Sequence, residues 1–102
     1  MKKFRVRFLA AAEADLFGLY QAIADEDGNE RAGAYIERIE AACLALETFP
    51  MRGTARDAIR PGLRTIGFER RATIVFRVTK SEVTIARIFY GGQDYERALR
   101  GE

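Results

Sequence analysis

A chain of 102 residues, with 48% apolar and 31% charged side chains and a formal charge of +2, is sized for one globular domain around one modest core. It contains no His, which removes His-based catalytic triads, the usual imidazole general base and most zinc sites. Its longest apolar run falls far short of the roughly 20 residues of a membrane span. Its single cysteine, Cys43, cannot form an internal disulfide, so a reducing cytoplasm is the expected compartment.

The start, Met1-Lys2-Lys3-Phe4, is basic, but Arg5 and Arg7 interrupt the apolar residues that follow, unlike a signal-peptide hydrophobic region. Phe4, Val6 and Phe8 alternate with those arginines at period two, which predicts a half-buried strand over 3–9. From Ala10 the spacing changes. Ala12, Leu16, Leu19 and Ile23 step by three or four, which predicts a helix over 11–26 with Tyr20 beside its stripe. Glu13 and Asp15 sit near its start, where the helix dipole favours negative charge. Gly28 is expected to end it and Asn29 to cap the next. That second helix, over 30–49, carries Ala32, Ile36, Ile39, Cys43 and Leu46 on one stripe, and Phe49-Pro50 closes it. Cys43 therefore reads as a small core residue, and Tyr20 and Tyr35 as packing residues between two antiparallel helices.

Residues 51–61, with Gly53 and the Pro61-Gly62 turn, read as a loop. Three strands are predicted to follow, over 62–68, 72–79 and 82–90, joined by tight links at Glu69-Arg70-Arg71 and Thr79-Lys80-Ser81-Glu82. After Tyr90, Gly91-Gly92 breaks the strand, and a short helix is expected over 93–99. The predicted class is α+β in the order β-α-α-β-β-β with a tail helix: one domain over 1–102 whose helical hairpin covers one face of a small, mostly antiparallel, four-stranded sheet. The last two strands are apolar on both sides. Ile74, Phe76 and Val78 lie opposite Val75 and Arg77, and Val83 and Ile85 lie opposite Ala86 and Ile88. A partly apolar face that carries Arg77 or Arg87 and lacks a covering helix is expected to meet a partner, the alternative being cover by side-chain stems and the tail helix.

Charge is unevenly placed. Residues 1–50 hold six basic and nine acidic side chains, and residues 51–102 hold eleven basic and six acidic. Within 52–77, Arg52, Arg56, Arg60, Arg64, Arg70, Arg71 and Arg77 face only Asp57 and Glu69. Arginine suits bidentate contacts to carboxylates and phosphates, so this run reads either as a solvated basic surface or as a patch for an acidic partner, protein or nucleic acid. Arg87, flanked by Ala86 and Ile88, is expected either to pair with Asp15 or Asp94 or to contact a partner. There is no phosphate-loop glycine pattern, no paired-carboxylate spacing and no metal-ligand spacing.

Read in order, several short stretches carry a resemblance: Ala14-Asp15-Leu16 with Tyr20, then Tyr35, Ile39 and Leu46, then Pro50 and Gly53. Pro61-Gly62-Leu63-Arg64, Ile74-Val75-Phe76-Arg77-Val78, Ile85-Ala86-Arg87-Ile88 and Tyr90-Gly91-Gly92-Gln93-Asp94 complete it. No one motif is diagnostic, but their order and spacing over about 14–95 resemble a ParE toxin of the RelE/ParE superfamily. The resemblance implies the toxin of a type II toxin–antitoxin module, held inactive by a ParD-like antitoxin that wraps it as helix and extended segment. It also implies inhibition of DNA gyrase by binding, without cofactor, metal or membrane, and with direct nucleic-acid binding not expected. The antitoxin- or target-binding residues it suggests are Arg64, Arg71, Arg77, Arg87, Tyr90 and Asp94, with no catalytic residue. An acidic, amphipathic antitoxin segment is expected over the exposed sheet face and the adjoining helical hairpin.

The alternative is a RelE-like, ribosome-dependent mRNA endonuclease. Such members resemble one another in using Lys, Arg and Tyr side chains. The positions that match their third-strand arginine, the arginine after the last strand and the late tyrosine are Thr73, Gln93 and Leu99 here. Thr73 and Gln93 supply no fixed positive charge, and Leu99 neither gives nor takes a proton. Arg64, Arg77 and Arg87 with Tyr90 or Tyr95 could assemble a different basic site, but a guanidinium is a poor general base. The superfamily's Glu/Arg/His nuclease set fails for want of His.

Overall fold

The structure is a computed structural model and describes residues 3–91 and 95–101. The opening alternation becomes strand β1 (Arg5–Phe8), with Phe4, Val6 and Phe8 packed on the core and Arg5 and Arg7 exposed. Helix α1 (Ala10–Asp27) buries the stripe Ala12, Leu16, Leu19 and Ile23. Helix α2 (Asn29–Leu44) buries Ala32, Tyr35, Ile39 and Cys43. A 3-10 turn at Ala45–Glu47 adds Leu46 and tightens the chain before Pro50, so the regular helix stops short of residue 49.

One residue joins the two helices. Gly28 has φ 92°. Its N–H donates to the Ala24 carbonyl at 2.9 Å, and its own carbonyl accepts from the Ala32 N–H at 3.1 Å. Gly28, not Asn29, is thus the N-cap, and no side chain caps α2. So short a reversal needs positive φ, which glycine adopts without steric cost, and it leaves Asn29 already inside the helix.

Strands β3 (Leu63–Phe68), β4 (Ala72–Val78) and β5 (Glu82–Tyr90) form the expected antiparallel meander, and β1 lies parallel to β5 with Phe8 opposite Ile85. The segment expected as pure loop holds a fifth strand, which we label β2 (Thr54–Ala55), paired with Thr65 and Arg64. The sheet order is β1-β5-β4-β3-β2. Gly53, at φ 72°, permits the close approach, because a Cβ there would overlap the Thr65 carbonyl oxygen.

The helical hairpin covers one sheet face, over Ile74, Phe76, Val83, Ile85 and Ile88. Placing Ile88 there corrects the alternation expected for β5. Val75 opposes Arg87 while Phe76 opposes Ile85, leaving Ala86 as an extra residue. A bulge shifts the alternation by one, so Ile88 rejoins the side of Ile85. The outer face is also less bare than expected. Leu63, Val75 and Phe89 form a small cluster beneath Ile59, Ala86, Tyr95 and Leu99, the last two from helix α3 (Tyr95–Arg100). Among the described residues no helix is long and apolar enough to cross a membrane.

Candidate functional site

The arginines of 52–77 do not share one patch. Arg64 Nε donates to the Arg52 carbonyl at 2.8 Å, and Arg77 Nε donates to the Pro61 carbonyl at 3.1 Å. Arg56 donates to the Tyr95 hydroxyl at 2.8 Å and to Thr65 Oγ1 at 3.3 Å, and pairs with Glu96 at 3.3 Å. The guanidinium fork suits this pinning, since it offers five N–H donors in one plane. Arg56, Arg64 and Arg77 therefore fasten the 52–62 segment and α3 to the sheet. Arg71 lies elsewhere, in a cavity with Tyr35, Arg38 and Glu69.

Arg87 takes the Asp15 partner. Its Nε and Nη2 donate to the two Asp15 oxygens at 2.7 and 3.1 Å, and the Ile88 N–H donates to Asp15 Oδ2 at 2.8 Å. The pairing of β1 with β5 ends at Ile85, so the carboxylate of α1 serves the edge just beyond it. The hydrogen bond to Asp15 holds the Arg87 pKa above its ordinary value. Tyr90 is half-buried, its ring edge-on to that of Tyr35 at 6.5 Å. Asp94, with Gly92 and Gln93, lies outside the described residues. The suggested site residues thus occupy separate places: Arg77 on the outer face, Arg64 beside Phe4 and Met51, Arg71 under α2, and Arg87 with Tyr90 along α1.

Arg77 belongs to the arrangement best suited to a partner. A groove of about 380 Å³ on the outer face runs between Arg7, Arg60, Arg77 and Glu82, with Leu9, Leu63 and Ala86 among its apolar lining. Leu9 is 37% exposed there. Arg7 stands 3.6 Å from Glu82, a loose and exposed pair. Three guanidiniums against one carboxylate leave the groove positive. Each guanidinium offers up to five N–H donors in one plane, a geometry that suits carboxylate acceptors. Sequence reading missed Arg7 and Arg60 as site residues. Arg7 showed only as an outward strand position, and its meeting with Arg77 depends on both β1 and β4 pairing with β5.

Two of the positions that match nuclease side chains, Thr73 and Leu99, sit on this same face, and the third, Gln93, lies outside the described residues. Thr73 is half-buried opposite Phe89, and Leu99 packs against the outer cluster. Cys43 is fully buried, and burial pushes its thiol pKa up to about 12, as a core role requires.

Comparison with known proteins agrees with this architecture. A sequence model described as "ParE toxin of type II toxin-antitoxin system, parDE" matches residues 6–95. Toxin ParE3 of Caulobacter vibrioides is 32% identical over 77 residues, 76% of each chain. A solved structure of the chromosomal ParDE toxin–antitoxin system from P. aeruginosa superposes with a TM-score of 0.75 at 28% identity, covering 87% of this chain and 97% of that one. The RelBE2 toxin–antitoxin complex of Mycobacterium tuberculosis shares the fold at a TM-score of 0.60 and 22% identity, over 91% of this chain and 97% of that one.

Proposed function

The chain belongs to the ParE toxin family of type II toxin–antitoxin systems, and from that premise we propose that it acts in the cytoplasm by binding, inhibiting DNA gyrase when free and silenced by a ParD-like antitoxin. The observation that carries the partner reading is the outer-face groove, where Arg7, Arg60 and Arg77 surround Leu9, Leu63 and Ala86. An acidic amphipathic antitoxin segment matches both its charge and its apolar floor. That segment continues toward the helical hairpin, reaching Arg87 and Tyr90. Arg64, Arg71 and Asp94 complete the proposed antitoxin- or target-binding set.

Action by binding is supported by the side chains at the nuclease-matched positions. Leu99 is an apolar packing residue, Thr73 is neutral, and the Arg56–Tyr95 pair on that face is tied to Thr65 and Glu96. The test is a supercoiling assay with purified chain. Gyrase should lose activity, and the cognate antitoxin should restore it. Ribosome-dependent cuts at defined codon positions, abolished by one arginine substitution, would overturn the binding reading and restore a nuclease.

A further inference from the structure

A second cavity lies away from the outer groove, where the C-terminal end of α1 and the first turns of α2 meet the β3–β4 turn. It has a volume of about 450 Å³. Its charged lining is Arg31, Arg38 and Arg71 against Asp27 and Glu69, a single positive excess. Arg38 is taken, donating through Nε and Nη2 to both Glu69 oxygens at 2.8 and 3.0 Å. Arg31 and Arg71 have no side-chain hydrogen bond or ion pair among the described residues. Tyr35 also lines the cavity. It is 3% exposed, and its hydroxyl is closed to solvent without a hydrogen-bond partner. A buried hydroxyl without a partner is a standing cost. The Arg38 guanidinium lies over the Tyr35 ring, 5.4 Å from its centre. Arg38 and Glu69 are about half exposed, at 52% and 41%, so parting them costs little. Glu69 sits on an unusual turn, since it and Arg70 have φ of 48° and 59° without being glycine.

We propose that this cavity is a socket for one carboxylate, an Asp or Glu side chain of a bound polypeptide, which bridges Arg31 and Arg71, displaces Glu69 from Arg38 and gives the Tyr35 hydroxyl an acceptor. The charge decides the ligand class. A carboxylate monoanion balances the single positive excess, whereas a phosphate group near neutrality carries up to two charges and overshoots it. The polypeptide is the antitoxin, and in that respect the inference rests on the function proposed above.

Titration calorimetry of the co-purifying antitoxin against four variants tests it. Arg31→Gln and Arg71→Gln should each weaken binding about 10-fold, the scale of a charge-assisted hydrogen bond. Tyr35→Phe should weaken the complex while raising the Tm of the free chain. Glu69→Gln, which removes the resident competitor, should tighten binding. Wild-type affinity in Arg31→Gln and Arg71→Gln, or weaker binding in Glu69→Gln, would overturn the socket while leaving the toxin–antitoxin reading intact. If the wild type itself binds no antitoxin, that reading fails instead. The socket is then judged by acetate titrated into the free chain and followed by NMR. Saturable shifts of the Arg31 and Arg71 side-chain N–H and the Tyr35 ring, lost in Arg71→Gln, sustain it. No saturable shift, or tighter binding of inorganic phosphate than of acetate, overturns it.

Discussion

Asp15 serves three N–H donors from β5 with one side chain, and two of its bonds are to a charged group. Its side chain is 17% exposed and that of Arg87 is 39% exposed, so this pair is better shielded than the other surface ion pairs. Asp15→Ala leaves the Ile88 N–H and the guanidinium unserved and should cost about 2–3 kcal/mol, read as a lower urea midpoint. Arg87→Ala leaves the Ile88 bond in place and should cost only about 1 kcal/mol. Equal costs would show that the main-chain bond contributes nothing. Cys43 gives a pH prediction. Its folded pKa, pushed up to about 12 by burial, lies above the ordinary thiol value, so the native state favours the neutral form. That contribution is complete below the unfolded value and lost as pH rises through it toward the folded one. Tyr35, raised chiefly by burial and then by Glu69, acts in the same direction. Stability should therefore fall with increasing pH in the alkaline range. Cys43→Ala should flatten the part due to the thiol, and equal alkaline slopes in the two proteins would refute that share.

At the scale of elements, α3 is held rather than self-sustaining. Six residues are far too few for a stable isolated helix, and none of them is fully buried. Its attachment is Tyr95 and Leu99 on the outer cluster, together with Arg56 reaching the Tyr95 hydroxyl and Glu96. Arg56→Ala should cost about 1–2 kcal/mol and speed amide exchange over 95–100 without changing exchange in α1 or α2. Faster exchange in both helices would mean that Arg56 supports the whole fold instead.

Across the whole molecule, the groove gathers β1, β4, β5 and the 57–62 turn, which are distant in sequence. Arg60→Glu with Arg77→Glu should slow antitoxin association and weaken the complex, and added salt should shrink the difference. Single alanine changes around the groove should each cost a moderate amount, because interface energy is shared among several anchors. An unchanged on-rate in the double variant would remove this face from the interface.

Periodicity placed β1, both helices and the three long strands, because each buries one face and burial imposes a spacing of two or three to four. The Asp15–Arg87 pair was one of two options open to a mid-strand arginine beside apolar neighbours. Tertiary structure decided what has no local signature. The two-residue β2 is too short for a period, and the Ala86 bulge swaps the faces of Ile88 and Phe89 without changing the composition of the strand. The arginine run looked like one surface because sequence records charge but not direction. Folding turns Arg56, Arg64 and Arg77 onto main-chain or side-chain acceptors, Arg71 toward α2, and brings Arg7 from the far end of the chain to the groove that Arg60 and Arg77 share.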